Sequence, residues 1–202
     1  MSAVQKRIAT VAVVALFGAL FAWFVVLPRL QPHIFSGAVI QSTQKAPRLE
    51  LDASNGNTIR MTDFEGKVVV VYFGYTFCPD VCPATLNKLA DAVELLGDKA
   101  EDVQVMMVSV DPARDTPELL ANYVKHFHPD FLGVTGDEAT VNRVATLYGV
   151  FYEKSEGTDA TGYTIDHTST VILVDREGYL KLVLPFEGTA EQIAADIEYF
   201  LG

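Results

Sequence analysis

The hydrophobic and polar positions of the chain separate one long apolar segment near the N-terminus from a larger region of mixed pattern. Residues 8–27 (IATVAVVALFGALFAWFVVL) contain no charged side chain. Their length matches a helix that crosses a bilayer core of ~30 Å at ~1.5 Å per residue. The absence of a polar face disfavours a soluble core helix, and the bulky end at residues 23–27 disfavours a cleaved signal peptide. We therefore predict an uncleaved transmembrane helix over residues 8–27.

Beyond residue 46 the pattern alternates between strand and helix. Asn55-Gly56 marks a tight hairpin turn, and two short apolar runs rich in β-branched residues, 67–73 and 103–110, predict buried central strands. This alternation indicates an α/β domain with a central sheet flanked by helices. The other predicted elements are strands over 58–61, 131–134, 168–174 and 179–184, helices over 82–96, from Thr116, over 137–148 and over 189–201, and a polar loop over 153–162.

The charges around the apolar segment predict how the chain is oriented. Lys6 and Arg7 precede the segment, and positive charge beside a first span tends to stay in the cytoplasm. We therefore predict a cytoplasmic N-terminus (1–7), an anchor (8–27), a tether (28–46) and a folded domain (47–202). The domain is expected in the periplasm, on a single-pass protein of the inner membrane.

Composition narrows the classes of function. The chain has 202 residues, half of them hydrophobic, and a formal net charge of −11. A nucleic-acid partner is therefore not expected, because phosphate binding needs a basic surface. The acidic residues are spread along the chain, which is typical of a solvated surface, although they could also attract a basic partner or a metal ion. With only two cysteines, a disulfide framework is excluded, and a structural disulfide, a redox pair or a metal site remains.

Both cysteines lie where a central strand is predicted to meet a helix. Residues 74–83 read GYTFCPDVCP, and open sheets present functional groups beyond the carboxyl ends of their strands. A helix N-terminus favours a thiolate. Cys78 and Cys82 are four residues apart and so share one face of a helix. Two such thiolates hold a soft ion such as Cu(I) or Zn(II), or oxidise to a disulfide, and a metal would need a third ligand.

Four histidines are candidates for that third ligand. His33 lies in the predicted tether, and His126 and His128 lie near a predicted helix end, where an imidazolium would offset the helix dipole. His167 immediately precedes a predicted strand and follows Asp166, which could orient the ring by accepting a hydrogen bond. The pattern alone leaves a structural role and a ligand role for His167 open.

Three segments together resemble a known family. Residues 74–83 (GYTFCPDVCP), 109–118 (SVDPARDTPE) and 163–168 (YTIDHT) are similar to signature segments of the Sco/SenC family. These are copper-binding proteins that help to assemble the CuA centre in subunit II of cytochrome c oxidase. The likeness spans roughly residues 47–201, in the same order.

The resemblance implies a thioredoxin-like α/β fold with a central mixed sheet, preceded by one N-terminal transmembrane helix. It also implies a site for one copper ion, Cu(I) or Cu(II), formed by Cys78, Cys82 and His167. The chain would then be a metallochaperone rather than an enzyme. Its expected partners are subunit II of cytochrome c oxidase and a copper-donor protein.

Three other interpretations stay open. In a thiol–disulfide oxidoreductase, Cys78 and Cys82 would cycle between dithiol and disulfide. Many thioredoxin-like oxidoreductases have a cis-proline just before the strand that corresponds to 168–174, and this chain has no proline there. A thiol peroxidase with a reactive Cys78 is the second interpretation, and zinc in place of copper is the third.

Charged residues next to these segments each have two interpretations. Asp80, between the cysteines, either favours the helix N-terminus or tunes the metal site and its docking surface. Asp111, Arg114 and Asp115 either brace a turn before the second helix or act beside the site or on a partner.

Overall fold

A computed structural model describes residues 2–26, 32–41, 44–156 and 162–202. They belong to two compact units, Met1–Ile34 and Phe35–Gly202. In the first unit, helix α1 (Ala3–Phe21) begins with a capping box between Ser2 and Gln5 and continues into a π-helical turn, Ala22–Val26. Two reciprocal hydrogen bonds satisfy backbone donors that a helix start leaves open.

The predicted anchor lies mainly on this helix. Its last residue, Leu27, falls outside the described residues, as do residues 28–31 and 42–43 of the predicted tether. Within the described part of the chain, no helix combines the length and apolar character that a membrane span requires. The anchor therefore stays a prediction from the sequence.

The strands of the second unit are β1 Ala38–Val39, β2 Glu50–Ala53, β3 Thr58–Arg60, β4 Val68–Gly74, β5 Val103–Ser109, β6 Leu132–Thr135, β7 Tyr152–Glu156, β8 Tyr163–His167, β9 Val171–Val174 and β10 Leu180–Leu184. Eight of them form a mixed sheet in the order β1-β10-β9-β4-β5-β6-β2-β3. β4 is buried along its whole length and pairs in parallel with β5 and antiparallel with β9. Strands buried on both faces have continuous apolar sequences, which is why β4 and β5 were predictable.

Among the described residues of this unit, four α-helices flank the sheet: α2 (Val81–Leu95), α3 (Pro117–Phe127), α4 (Glu138–Leu147) and α5 (Ala190–Leu201). The hydroxyl of Thr116 caps α3, as its Thr-Pro start predicts. α2 turns an apolar face inward and packs against α5. The observed arrangement confirms the predicted α/β class with a mixed, helix-flanked sheet.

The prediction of a polar loop over 153–162 is wrong for residues 153–156, which form a strand. β7 covers residues 152–156 and pairs with β8 in a separate two-stranded sheet, while residues 157–161 lie outside the described chain. Of the ten strand residues, Ile165 alone is buried. A strand with two polar faces has no alternation of hydrophobicity, so its sequence resembles a loop.

Two other boundaries also differ from the sequence pattern. The strand predicted from residue 168 begins at Val171, so His167 ends β8 instead of immediately preceding β9. Within the predicted tether, β1 pairs with β10, and the Phe35 ring lies 5.0 Å from that of Tyr199. A two-residue strand is too short to give a periodic signal.

Candidate metal centre

The two sulfurs are placed by the junction between β4 and α2. Cys82 lies in the first turn of α2 and is fully buried, whereas Cys78 in the preceding loop is half-buried; both are free thiols. The backbone N–H of Cys82 lies 3.4 Å from Cys78 Sγ. Gly74 ends β4, and a Cβ atom there would be 3.0 Å from Cys82 Sγ. Glycine thus allows the strand end to approach the buried sulfur closely.

The end of β8 brings an imidazole to the same place. His167 Nε2 lies 3.5 Å from Cys82 Sγ, although the two residues are 85 positions apart. The ligand atoms of Cys78, Cys82 and His167 all lie within 4.8 Å of one another. The three residues singled out from the sequence therefore converge. Within the described chain they are the one cluster of potential metal ligands, and it does not include His33, His126 or His128.

The His167 ring is oriented by its neighbours but not by Asp166. Its Nδ1 lies 3.3 Å from the carbonyl oxygen of Thr168, while Asp166 accepts a hydrogen bond of 2.5 Å from Ser155. Successive side chains of a strand point to opposite faces, so Asp166 is directed away from the metal cluster. Of the two partners, the carbonyl of Thr168 and not the carboxylate of Asp166 faces the ring nitrogen.

Two tyrosines that sequence reasoning missed also line the site. The rings of Tyr72 and Tyr75 lie 6.2 and 6.0 Å from the His167 ring, both edge-on. The hydroxyl of Tyr75 accepts the backbone N–H of Ile165 at 3.1 Å, which ties the cysteine loop to β8. Tyr72 lies in the buried strand β4 and Tyr75 directly follows it, shortly before the cysteines. This position in the sequence could have identified both residues.

Asp115 stabilises the cysteine loop through hydrogen bonds to Thr76. It is fully buried and accepts hydrogen bonds from the backbone N–H and hydroxyl of Thr76, at 3.0 and 2.5 Å, and from Ser109 at 2.6 Å. Burial raises the pKa of Asp115. Asp115 therefore stabilises the cysteine loop as well as the turn in which it lies.

Asp80 occupies the N-cap position of α2, but its side chain makes no capping hydrogen bond.

The two thiols titrate as a coupled pair. The pKa of Cys78 is lowered to about 3, chiefly because the Cys82 thiol hydrogen-bonds to its sulfur, with further help from His167 and backbone N–H groups. The pKa of Cys82 is raised by that hydrogen bond and by burial. The reduced pair is therefore a thiolate at Cys78 and a thiol at Cys82 at neutral pH, so an incoming cation meets a thiolate ligand.

This coupling gives a testable pH dependence. A cysteine with an ordinary pKa of about 8.5 loses its thiolate as the pH falls toward 7. Because the pKa of Cys78 is lowered, we expect the ultraviolet thiolate absorbance of the reduced, metal-free chain to persist down to about pH 5. The Cys82→Ala variant lacks the thiol that donates to Cys78, so the Cys78 thiolate should become protonated at a higher pH than in the wild type. A Cys78→Ser variant that kept the acid-resistant signal would refute the assignment.

Comparison with known proteins relates this chain to one family. The SCO1/SenC family model matches residues 38–202. The SCO2-like protein of Rickettsia felis is 41% identical over 134 residues, which cover 65% of each chain. The chain spans 65 to 66% of the length of its Rickettsia relatives.

Two solved structures match over most of the chain. The apo Sco1 protein of Thermus thermophilus has a TM-score of 0.73 and 41% identity, covering 83% of this chain and 97% of that one. The copper-bound ScoI of Bradyrhizobium japonicum has a TM-score of 0.72 and 35% identity, covering 78% and 100%. These matches confirm the predicted thioredoxin-like α/β fold. Since the family model also extends over well more than half of the sequence, this chain belongs to the SCO1/SenC family.

Proposed function

We propose that this chain is a copper metallochaperone that carries one copper ion on Cys78, Cys82 and His167. The observation that supports this role is the convergence of two sulfurs and an imidazole, within 4.8 Å, from distant parts of the chain. Two thiolates suit Cu(I), and an imidazole also supports Cu(II). The donor set by itself would accept zinc as well. The copper in the related Bradyrhizobium structure favours copper.

The donor atoms have the spacing that a small ion needs. Sulfur and nitrogen donors bind such ions at about 2.0–2.3 Å, so two donors of one ion lie at most about 4.6 Å apart. Cys82 Sγ and His167 Nε2 are 3.5 Å apart, which is within that limit, and all three donor atoms lie within 4.8 Å of one another. Side-chain adjustment at Cys78 would therefore bring all three donors onto one ion.

The different burial of the two sulfurs suggests how the cargo is exchanged. Binding a cation displaces the proton of Cys82, because metal ligation requires the thiolate. Three protein donors leave a position for a donor atom of another protein, so copper would pass by ligand exchange. Cys78 is half-buried and Cys82 fully buried, so the acceptor would approach from the Cys78 side.

The acceptor that the family resemblance favours is the CuA centre in subunit II of cytochrome c oxidase, with a copper-donor protein loading the site. The charge-free run over 8–27 and the preceding Lys6 and Arg7 support a single-pass anchor in the inner membrane, with residues 1–7 in the cytoplasm and the domain over 47–202 in the periplasm. Such an anchor would raise the effective concentration of the domain beside the oxidase.

A strain that lacks this gene tests the proposal. We expect its membranes to lose CuA, measured by electron paramagnetic resonance, and to regain it with the wild-type chain but not with Cys78→Ser, Cys82→Ser or His167→Ala. The wild-type chain, tagged at its C-terminus, should sediment with membranes and be cleaved by protease added to spheroplasts. Full CuA content with all three variants would contradict the copper role, and a protected tag would contradict the orientation.

A thiol–disulfide oxidoreductase is the second candidate. The observation that favours it is a half-buried thiolate at Cys78 beside a buried thiol at Cys82, as in an attacking and resolving pair. Cys78 would attack a target disulfide, and Cys82 would then release the target as a dithiol and form the Cys78–Cys82 disulfide. Two electrons pass to the target, and a reducing dithiol protein restores the pair. Restoration of CuA by His167→Ala, together with failure of both cysteine variants, would favour this function.

A further inference from the structure

The hairpin that carries His167 is held to the domain mainly through side chains. β7 and β8 form their own two-stranded sheet, separate from the eight-stranded one, and Ile165 alone of their strand residues is buried. A two-stranded hairpin is marginally stable by itself. The position of His167 therefore depends on contacts between β8 and the rest of the domain.

Tyr163 provides three of these contacts. Its hydroxyl donates a 2.7 Å hydrogen bond to Asp111, and its backbone carbonyl accepts one of 3.1 Å from Arg114 Nη1. The Arg114 guanidinium carbon also lies 3.6 Å from the centroid of the Tyr163 ring. One arginine thus holds the backbone and the ring of the same hairpin residue.

This contact is mechanically connected to His167. Alternate residues of a strand share a face, so Tyr163, Ile165 and His167 point the same way, and the burial of Ile165 shows that this face is turned to the domain. Tyr163 and His167 are separated by about 13 Å along the strand. Between them, the N–H of Ile165 donates to Tyr75. Anchoring Tyr163 therefore restrains the strand that ends in the imidazole.

The turn over residues 109–115, which contains Asp111 and Arg114, also contacts the loop that carries the cysteines. Asp111 is fully buried and ion-paired with Arg114, whose side chain is 18% exposed. Four residues after Asp111, Asp115 holds the cysteine loop through Thr76. Ser109 connects the two acids by donating to Asp115 and accepting from the backbone N–H of Asp111. The turn over 109–115 is thus bonded to both the cysteine loop and the histidine hairpin.

We propose that Asp111 and Arg114 are positioning residues that hold the β7–β8 hairpin through Tyr163, so that His167 faces the two sulfurs. This inference rests on the proposed copper site. If the two residues only stabilised their own turn, their loss would lower the stability of the domain. A positioning contact instead changes metal binding through His167. Loss of the Tyr163 hydroxyl should therefore weaken copper binding only when His167 is present.

Tyr163→Phe tests the contact, because it removes the bond to Asp111 and keeps the ring beneath Arg114. In the metal-free, reduced full chain, we expect hydrogen exchange of the Ile165 amide to become about tenfold faster, since hydrogen bonds to charged groups have this order of effect. Amides of β4 should not change. The matched control is Tyr148→Phe, which removes a tyrosine hydrogen bond of 3.0 Å to the carbonyl of Pro47; it should leave Ile165 unchanged.

Copper affinity completes the test as a double-mutant cycle. Measured with Cu(I) against a competing chelator, Tyr163→Phe should weaken binding about tenfold in the wild-type background and not at all in His167→Ala. Arg114→Lys should weaken it less than Arg114→Ala, because lysine keeps the charge but loses the planar stack and the fork of donors. An equal loss in both backgrounds, or an unchanged Ile165 exchange rate, would overturn the proposal. If the wild type bound no copper, the proposed function would fail, and Ile165 exchange would still decide whether Tyr163 holds the hairpin.

Discussion

Cys82→Ser is expected to reduce the affinity of the reduced full chain for Cu(I) by more than about 100-fold. Even residues that only orient metal ligands change affinity by about 10- to 100-fold, so the loss of a donor must exceed that range. Cys82 is the buried member of the group, and its sulfur lies 3.5 Å from the imidazole. Serine preserves its size but replaces a soft sulfur donor by a hard hydroxyl, which suits copper poorly.

The two remaining ligands should respond differently to the oxidation state of copper. Cys78→Ser should resemble Cys82→Ser, whereas His167→Ala should weaken the binding of Cu(I) by more than about tenfold and that of Cu(II) by more still, because two thiolates suit Cu(I) and an imidazole suits Cu(II). Metal content after loading and gel filtration, and competition with a chelator, measure both effects. His126→Ala is the matched control, since His126 lies outside the ligand cluster. Unchanged affinity in His167→Ala would remove that residue from the site.

The second large effect expected is on stability: Leu86→Ala should lower the free energy of unfolding by about 2–5 kcal/mol. Leu86 is fully buried on α2, four residues after Cys82 and so on the same face of the helix. Truncating it removes apolar contacts and leaves a cavity one helical turn from Cys82. Guanidinium chloride unfolding of the metal-free chain, followed by near-ultraviolet circular dichroism, measures the change.

Leu95→Ala on the same helix is the matched control. Leu95 is 58% exposed at the last position of α2, and surface substitutions usually change stability by no more than about 0.5 kcal/mol. Both variants replace leucine by alanine, so the difference between them isolates burial. Similar losses in the two variants would show that burial on α2 does not decide the stability of the domain.

The elements that the sequence predicted best are strands buried on both faces, and helices and turns that local residues begin or end. β4 and β5 were visible as apolar runs because their side chains are buried on both faces of the sheet. α3 was visible from its Thr116 cap and Pro117, whose effects are confined to one turn. The β2–β3 turn was visible from Asn55-Gly56, and in the structure Gly56 adopts a φ of 87°, which glycine tolerates readily.

The elements that the pattern missed are those whose stability comes from elsewhere in the fold. β7 carries polar residues on both faces and has no periodic signal. β1 is two residues long and exists because β10 offers a free edge. Likewise, the direction of Asp166 follows from the register of β8 with β7, which its own neighbours in sequence do not reveal.

The sequence by itself determined that Cys78 and Cys82 share one end of a helix, because a spacing of four residues is a local geometric relation. It also determined the central strands that position that helix. The tertiary structure alone decided that His167 reaches the sulfurs. This depends on how β8 lies across the domain, through Tyr75 and the turn that contains Asp111, and such contacts span 90 and 52 residues. The physical reason is that a contact between distant segments depends on the packing of the whole fold, whereas a helical spacing depends only on the backbone within one turn.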